Sequence, residues 1–122
     1  MTVEEIIISY LVSKNIPGLG KRVYAEAPAD RENVFLIVSR SGGSTENTIR
    51  SYLIHTDLRV RRDEKAGRTK LLALRIHDAV IEAMEDIIFH SELFMCRKNS
   101  DYDAALPGSE EYRYQALWEI TM

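Results

Sequence analysis

The chain has 122 residues, 45% of them hydrophobic and 29% charged, with a formal net charge of −3, which suits one domain with a modest core and argues against global disorder. Its longest apolar runs, such as Ile6 to Ile8 and Val34 to Val38, fall far short of the roughly 20 residues a helix needs to span a bilayer. So small a net charge points to neither nucleic acid nor a membrane surface, and a single cysteine, Cys96, excludes an internal disulfide and a one-chain zinc knuckle.

At the start, Met1-Thr2-Val3-Glu4-Glu5 carries acids where a signal peptide carries basic residues, so cytoplasmic synthesis is expected. Thr2 followed three residues later by Glu5 has the form of a capping box. Val3, Ile6, Ile7, Tyr10 and Leu11 then recur at helical spacing. Pro17, Gly18 and Gly20 stop that helix. Val23 to Ala27 reads as a short strand, Pro28 to Asn33 as a polar turn, and Val34 to Val38 as a strand covered on both faces. Arg40 to Asn47 reads as a flexible loop around Gly42 and Gly43.

The cleanest alternation in the chain follows. Tyr52, Ile54, Thr56, Leu58 and Val60 point one way; Ser51, Leu53, His55, Asp57, Arg59 and Arg61 point the other. Asp63 is placed to cap a helix running to about Asp86, with Leu72, Ile76, Ala79, Val80, Ala83 and Ile87 on one face and Gly67 near its start. Glu92 to Lys98 reads as a strand, Asn99 to Glu111 as a hairpin loop of unusual length, and Tyr112 to Met122 as the last strand. The expected fold is α+β, a single domain over residues 1–122. Two helices pack on a mixed, mostly antiparallel sheet of about five strands, in the order α-β-β-β-α-β-β, and the strand neighbours other than the third and fourth can be hairpins.

Charge is unevenly spread. Arg50 to Arg75 holds eight Lys/Arg against three Asp/Glu, and Ile76 to the end holds three against ten. Such a split fits a phosphate-binding patch, two complementary faces of a self-associating subunit, or two solvated faces.

Motifs for chemistry are weak. Arg40-Ser-Gly-Gly-Ser-Thr could cradle a phosphate with its backbone amides. It joins two strands, however, and lacks the lysine and following helix of a phosphate loop. Asp63-Glu64-Lys65 has the Asp-x-Lys form of metal-dependent nucleases, but an acid at a helix start is expected as a cap. His55, His77 and His90 have no metal-ligand spacing, and His77 and Asp78 project too far apart on a helix to form an orienting pair. Cys96, between apolar neighbours, reads as a buried inert thiol. The basic run Arg59, Arg61, Arg62, Lys65, Arg68, Lys70 could bind nucleic acid or serve a nuclease; it lacks interleaved aromatics.

Ala27-Pro28-Ala29-Asp30-Arg31, the strand Val34 to Val38, Arg40-Ser41-Gly42-Gly43, Asn99-Ser100-Asp101-Tyr102-Asp103 and Tyr112-Arg113-Tyr114-Gln115-Ala116 occur in that order. In this layout the chain resembles the small tail terminator proteins of long-tailed bacteriophages, also called tail completion or head–tail joining proteins. Glu32-Asn33 stand where the family often has a second proline, and Arg59 to Arg68 is unusually basic for it. The resemblance implies a non-enzymatic structural protein without cofactor or metal. It forms a ring, expected to be hexameric, that caps the tail tube, ends its polymerisation and offers the head-docking surface. The implied partners are further copies of itself, the tail tube protein and a head completion or connector protein. Genomic DNA passes through the ring without specific binding, and no membrane is involved. The implied place is the tail–neck junction of the virion, after assembly in the host cytoplasm. The expected subunit or partner interface comprises Arg40, Gly42, Gly43, Arg59, Arg61 and Arg62 on one side of the chain. On the other it comprises Asp101, Tyr102, Asp103, Glu110, Glu111, Tyr112, Arg113 and Tyr114.

Overall fold

The computed structural model describes residues 1–30, 32–46 and 49–122; Arg31 of the expected turn and Asn47 of the expected loop lie outside them. Helix α1, Val3–Lys14, starts with the capping box seen in the sequence: Thr2 accepts from the Glu5 amide while Glu5 accepts from Thr2. All five residues of its apolar stripe are buried. It ends at Asn15, whose left-handed backbone closes the last turn.

The strands are β1 (Val23–Tyr24), β2 (Val34–Glu46), β3 (Ile49–Arg61), β4 (Met95–Asp103) and β5 (Glu111–Thr121). They form one sheet in the order β1-β2-β3-β5-β4. The element order is the expected one, with β1–β2 parallel and all other pairs antiparallel. The first two strands are therefore not a hairpin, and β1 is shorter than the sequence implied.

Three further boundaries differ. Instead of a loop at Arg40 to Asn47, β2 runs on through Gly42 and Gly43 to Glu46, with a register shift between Arg40 and Gly42. A Cβ on Gly43 would stand 2.7 Å from the Ser51 carbonyl oxygen, so glycine permits the close approach of the two strands. Asp63 caps only the short 3-10 turn Glu64–Ala66, which Gly67 terminates at φ +79°. The long helix α2, Lys70–Asp86, has its own cap, Thr69, accepting from the Leu72 amide. Finally, β4 starts later than expected and extends through Asp103, leaving only residues 104–110 as the loop to β5.

Both helices pack on the same face of the sheet. Their apolar residues join Leu36, Val38, Ile54, Leu58, Val60, Ala116, Trp118 and Ile120 in one core. Trp118, wholly buried, donates its indole N–H to Thr56 Oγ1 at 3.0 Å. A buried indole needs such a partner, so Thr56 is a fixed part of the core rather than a surface polar residue. The other face, built from alternate residues of β2, β3 and β5, carries no helix among the described residues. No helix among those residues is long and apolar enough to cross a membrane.

Candidate interaction surface

The helix-free face centres on Asp57, which is only 5% exposed although no helix covers it. Strand alternation aims it outward from β3, and the flanking arginines fold over it. Arg113 of β5 grips the carboxylate with both Nε and a terminal nitrogen, each at 3.0 Å. Arg59, two residues along β3, donates to the same group at 3.1 Å. Arg59 and Arg113 are direct cross-strand neighbours, a like-charge pairing that ordinarily destabilises a sheet. Asp57 makes it tolerable by accepting from both. Its hydrogen bond holds the Arg113 guanidinium even more firmly protonated than usual, against the opposing effect of burial. The cluster keeps one net positive charge. Phe35 lies beneath Arg59, 5.9 Å from ring centre to guanidinium.

Where β3 ends and β5 begins, Arg61 pairs in register with Glu111. A cleft of about 450 Å³ opens there, lined by Asp30, Glu32, Phe35, Arg61, Glu110 and Glu111 among others. Glu32 accepts from the Tyr24 hydroxyl at 2.7 Å, which raises the tyrosine's pKa. Arg62 lies over the Tyr112 ring at 4.8 Å, and its amide donates to the Glu110 carbonyl. The basic strand end and the acidic residues before β5 thus meet within one subunit.

At the sheet edge, Asp101 turns to the helix-covered face because a register shift between Lys98 and Ser100 inserts an extra residue. There it pairs with Nε2 of His77, which is 4% exposed on α2, and with Lys98. Burial pushes the Asp101 carboxyl up, but the His77 and Lys98 contacts outweigh it and hold the pKa below the ordinary value. The His77 ring also packs 5.4 Å from Tyr114. The partner of His77 is therefore Asp101, not a helix neighbour. Sequence reading missed this pair because the two residues stand 24 positions apart on different elements.

The remaining expected interface residues are distributed as follows. Arg40 pairs with Glu4 of α1 at 2.7 Å and lies over Tyr52; Gly42 and Gly43 sit within the β2–β3 arm. Tyr102 is 44% exposed and donates to Gln115 on the helix-free face. Asp103 accepts from the Ala105 amide. Tyr114 is in the core. The fold brings together Arg59 with Arg113, and Arg61 with Glu110 and Glu111, and keeps Arg40 and Asp101 apart from both groups.

Asp63 accepts from the Ala66 amide and pairs with Arg68, whose Nε donates to the Arg61 carbonyl. Its carboxylate is thereby committed to the turn. No group of three potential metal ligands occurs among the described residues. Cys96 is half-buried, and desolvation pushes its thiol up to about 12, aided by Glu85.

No family model matches the chain, and no curated protein matches it. Among solved structures the chain is similar to one in a virion of a native gene transfer agent particle. The TM-score is 0.66 at 11% identity, over 98% of this chain and 92% of the other. The likeness spans both chains almost end to end. At that identity it establishes a shared fold.

Proposed function

We propose that this chain is a structural subunit of a phage-like virion, working as a tail terminator rather than as an enzyme. In this reading its copies close into a ring on the finished tail tube, end the tube's growth and present a surface to the head connector, while DNA passes through the opening. The observation that carries it is the end-to-end fold likeness to a chain of a virion particle, which agrees with the order of motifs along the sequence. The subunit's surfaces are unlike one another, with a helix-covered face, an arginine-rich open face and an acidic cleft. Head-to-tail rings require such unlike surfaces, since each contact joins two different patches.

Nucleic-acid binding or cleavage through Arg59–Lys70 gains less support from the fold than from the sequence. Arg59, Arg62 and Arg68 are each held by Asp57, Tyr112 or Asp63, and Asp63 is engaged as a cap. Binding to DNA that falls steeply with salt, or magnesium-dependent cleavage lost in Asp63→Ala, would return weight to that reading.

The test is native mass by light scattering across a concentration range, with negative-stain images of the same sample. Closed rings near six times the subunit mass of 14.0 kDa are expected. A chain that stays monomeric at every concentration refutes a self-assembling ring.

A further inference from the structure

We infer that neighbouring subunits are joined edge to edge, β4 of one copy pairing antiparallel with the free edge of β2 in the next, an assignment that rests on the ring reading above. Both edges are open. β4 is the last strand of the sheet, and from Arg97 to Asp103 it is exposed. At the other side β1 pairs with β2 only at Leu36 and Ile37, so from Val38 onward no strand among the described residues lies beside β2. An unpaired edge is a row of backbone donors and acceptors that another strand completes. The two free stretches, 38–46 and 95–103, are equal in length.

Direction and register both fit. β2 and β5 run one way and β3 and β4 the other, so a neighbour set alongside, with its helices on the same face, brings β2 antiparallel to β4. Each edge carries one extra residue, between Arg40 and Gly42 in β2 and between Lys98 and Ser100 in β4. A one-residue mismatch would turn side chains to the wrong face; one extra residue on each strand cancels it. With Asp103 set opposite Arg40, both lie on the helix-covered face, where their own partners are Tyr114 and Ile54. Tyr102 then meets Gly42 and Ser100 meets Ser44, all four on the helix-free face. The pairs suit one another. Arg40 and Asp103 are exposed and opposite in charge, and Asp103 uses only Oδ1 within its own copy. Gly42 leaves room for the Tyr102 ring, as aromatic residues beside edge glycines do. Charges along β4 deter indiscriminate pairing, and a matching charge on one edge makes the pairing selective.

β1 sets the stagger. Within one copy Asp103 lies level with Leu36, through Tyr114 and Leu58. A neighbour at that same level would bring Asp103 against β1, which occupies the edge there. Pairing with Arg40 moves the neighbour along the strands by the span from Leu36 to Arg40, about 13 Å at ~3.3 Å per residue. A sheet that closes on itself requires such a stagger. Two different edges at opposite sides of one subunit make a heterologous contact, which closes into a ring when the rotation per step divides the circle.

Disulfide trapping with the full chain tests this. Ser44→Cys and Ser100→Cys replace exposed residues. Directly opposite residues of antiparallel strands have Cα atoms about 4.5–5.5 Å apart, within disulfide reach. In one copy β3 and β5 stand between the two positions and hold them at least about 14 Å apart, so only a link between copies can form. Under mild oxidation an equimolar mixture of the two single variants should give a covalent dimer that neither gives alone, and the double variant a ladder. Thr45→Cys, on the other face, should link to Ser100→Cys roughly fivefold less than Ser44→Cys does. Separately, Asp103→Arg should raise the dissociation constant of the assembly roughly fivefold, and adding Arg40→Asp to the same chain should return it to within about twofold. No link in the mixture, or equal linking at Thr45→Cys, overturns the register. An unchanged Asp103→Arg assembly overturns the Arg40–Asp103 pairing. Closed rings in the images without the link overturn edge pairing and leave the ring reading standing. Links in open chains alone uphold edge pairing and overturn ring closure, and a chain that is unlinked and monomeric at every concentration overturns both.

Discussion

Replacing Asp57 by alanine removes the shared acceptor of Arg59 and Arg113. Breaking a buried ion pair from one side costs about 3–5 kcal/mol, because the stranded charge has lost its hydration. Here both arginine side chains are more than a quarter exposed, so they can swing toward water and recover part of it. Against that recovery stands the direct opposition of two guanidinium groups across β3 and β5, which repel once the carboxylate is gone. The balance gives about 2–3 kcal/mol for Asp57→Ala. With a urea slope of about 1.5 kcal/mol per molar for a chain of this size, the unfolding midpoint should fall by roughly 1.3–2 M. A double-mutant cycle with Arg113→Ala should show coupling of about 1–2 kcal/mol, and that coupling should persist in ~0.5 M salt because the pair is largely shielded. A midpoint shift below about 0.3 M, or additive single mutants, would refute the reasoning and mean that the arginines are indifferent to the carboxylate.

Other outcomes follow from the same structure. Asp101 has a depressed folded pKa, so its contribution is fully present above the unfolded value of 3.8 and is lost as pH falls through the lower folded one. Urea midpoints of the native protein and Asp101→Asn should therefore differ at pH 6 and converge below about pH 3.8; a gap independent of pH contradicts the pairing. Cys96, raised from 9.0 to about 12 by burial, carries about a thousandfold less thiolate than an ordinary cysteine at the same pH. Iodoacetamide should leave it unlabelled at pH 8 until urea is added, and labelling of the native chain at the free-thiol rate would show that the site is open. Gly43→Ala forces a Cβ to within 2.7 Å of the Ser51 carbonyl, whereas Gly42→Ala meets only Leu53 Cδ1 at 3.7 Å. Amide exchange should accelerate across residues 43–52 in the first variant and not in the second; equal protection in both would mean that the two strands separate without cost.

The features plain in the sequence are those set by local periodicity. The α1 stripe and its capping box depend on residues three or four apart, and the β3 alternation on residues two apart; no distant contact is needed to infer either. The α2 stripe lies where its spacing places it but is broader, with Leu72 and Ala79 packed at its edge. Ile76, Val80, Ala83 and Ile87 are buried as expected, but so are Ala73, His77 and Met84, because His77 turns inward to meet Asp101. That meeting depends on an extra residue in β4, and nothing in the stretch Arg97-Lys98-Asn99-Ser100 marks where it is inserted. The glycine pair departs from its sequence signal for a related reason. Gly-Gly is ordinarily a sign of a turn, yet here it lets β2 and β3 lie close along an arm whose partner strand is set by pairing, not by local preference.

The open face shows why a charge count along the chain could not locate a site. Arg59 and Arg113 lie 54 positions apart in sequence and are direct neighbours across β3 and β5, while Asp57 of the basic half cancels part of their charge. Arg61 likewise meets Glu111 within the same subunit. Each charged stretch is thus partly engaged within a single copy, by Asp57 under the two arginines and by the in-register placing of Arg61 beside Glu111. What remains for assembly is surface that the subunit does not use itself. Leu106, 73% exposed on the loop between β4 and β5, is one such place. Contact between copies is thus to be sought both at exposed apolar side chains and at the charged patches left partly free, and only the second kind weakens as salt is raised.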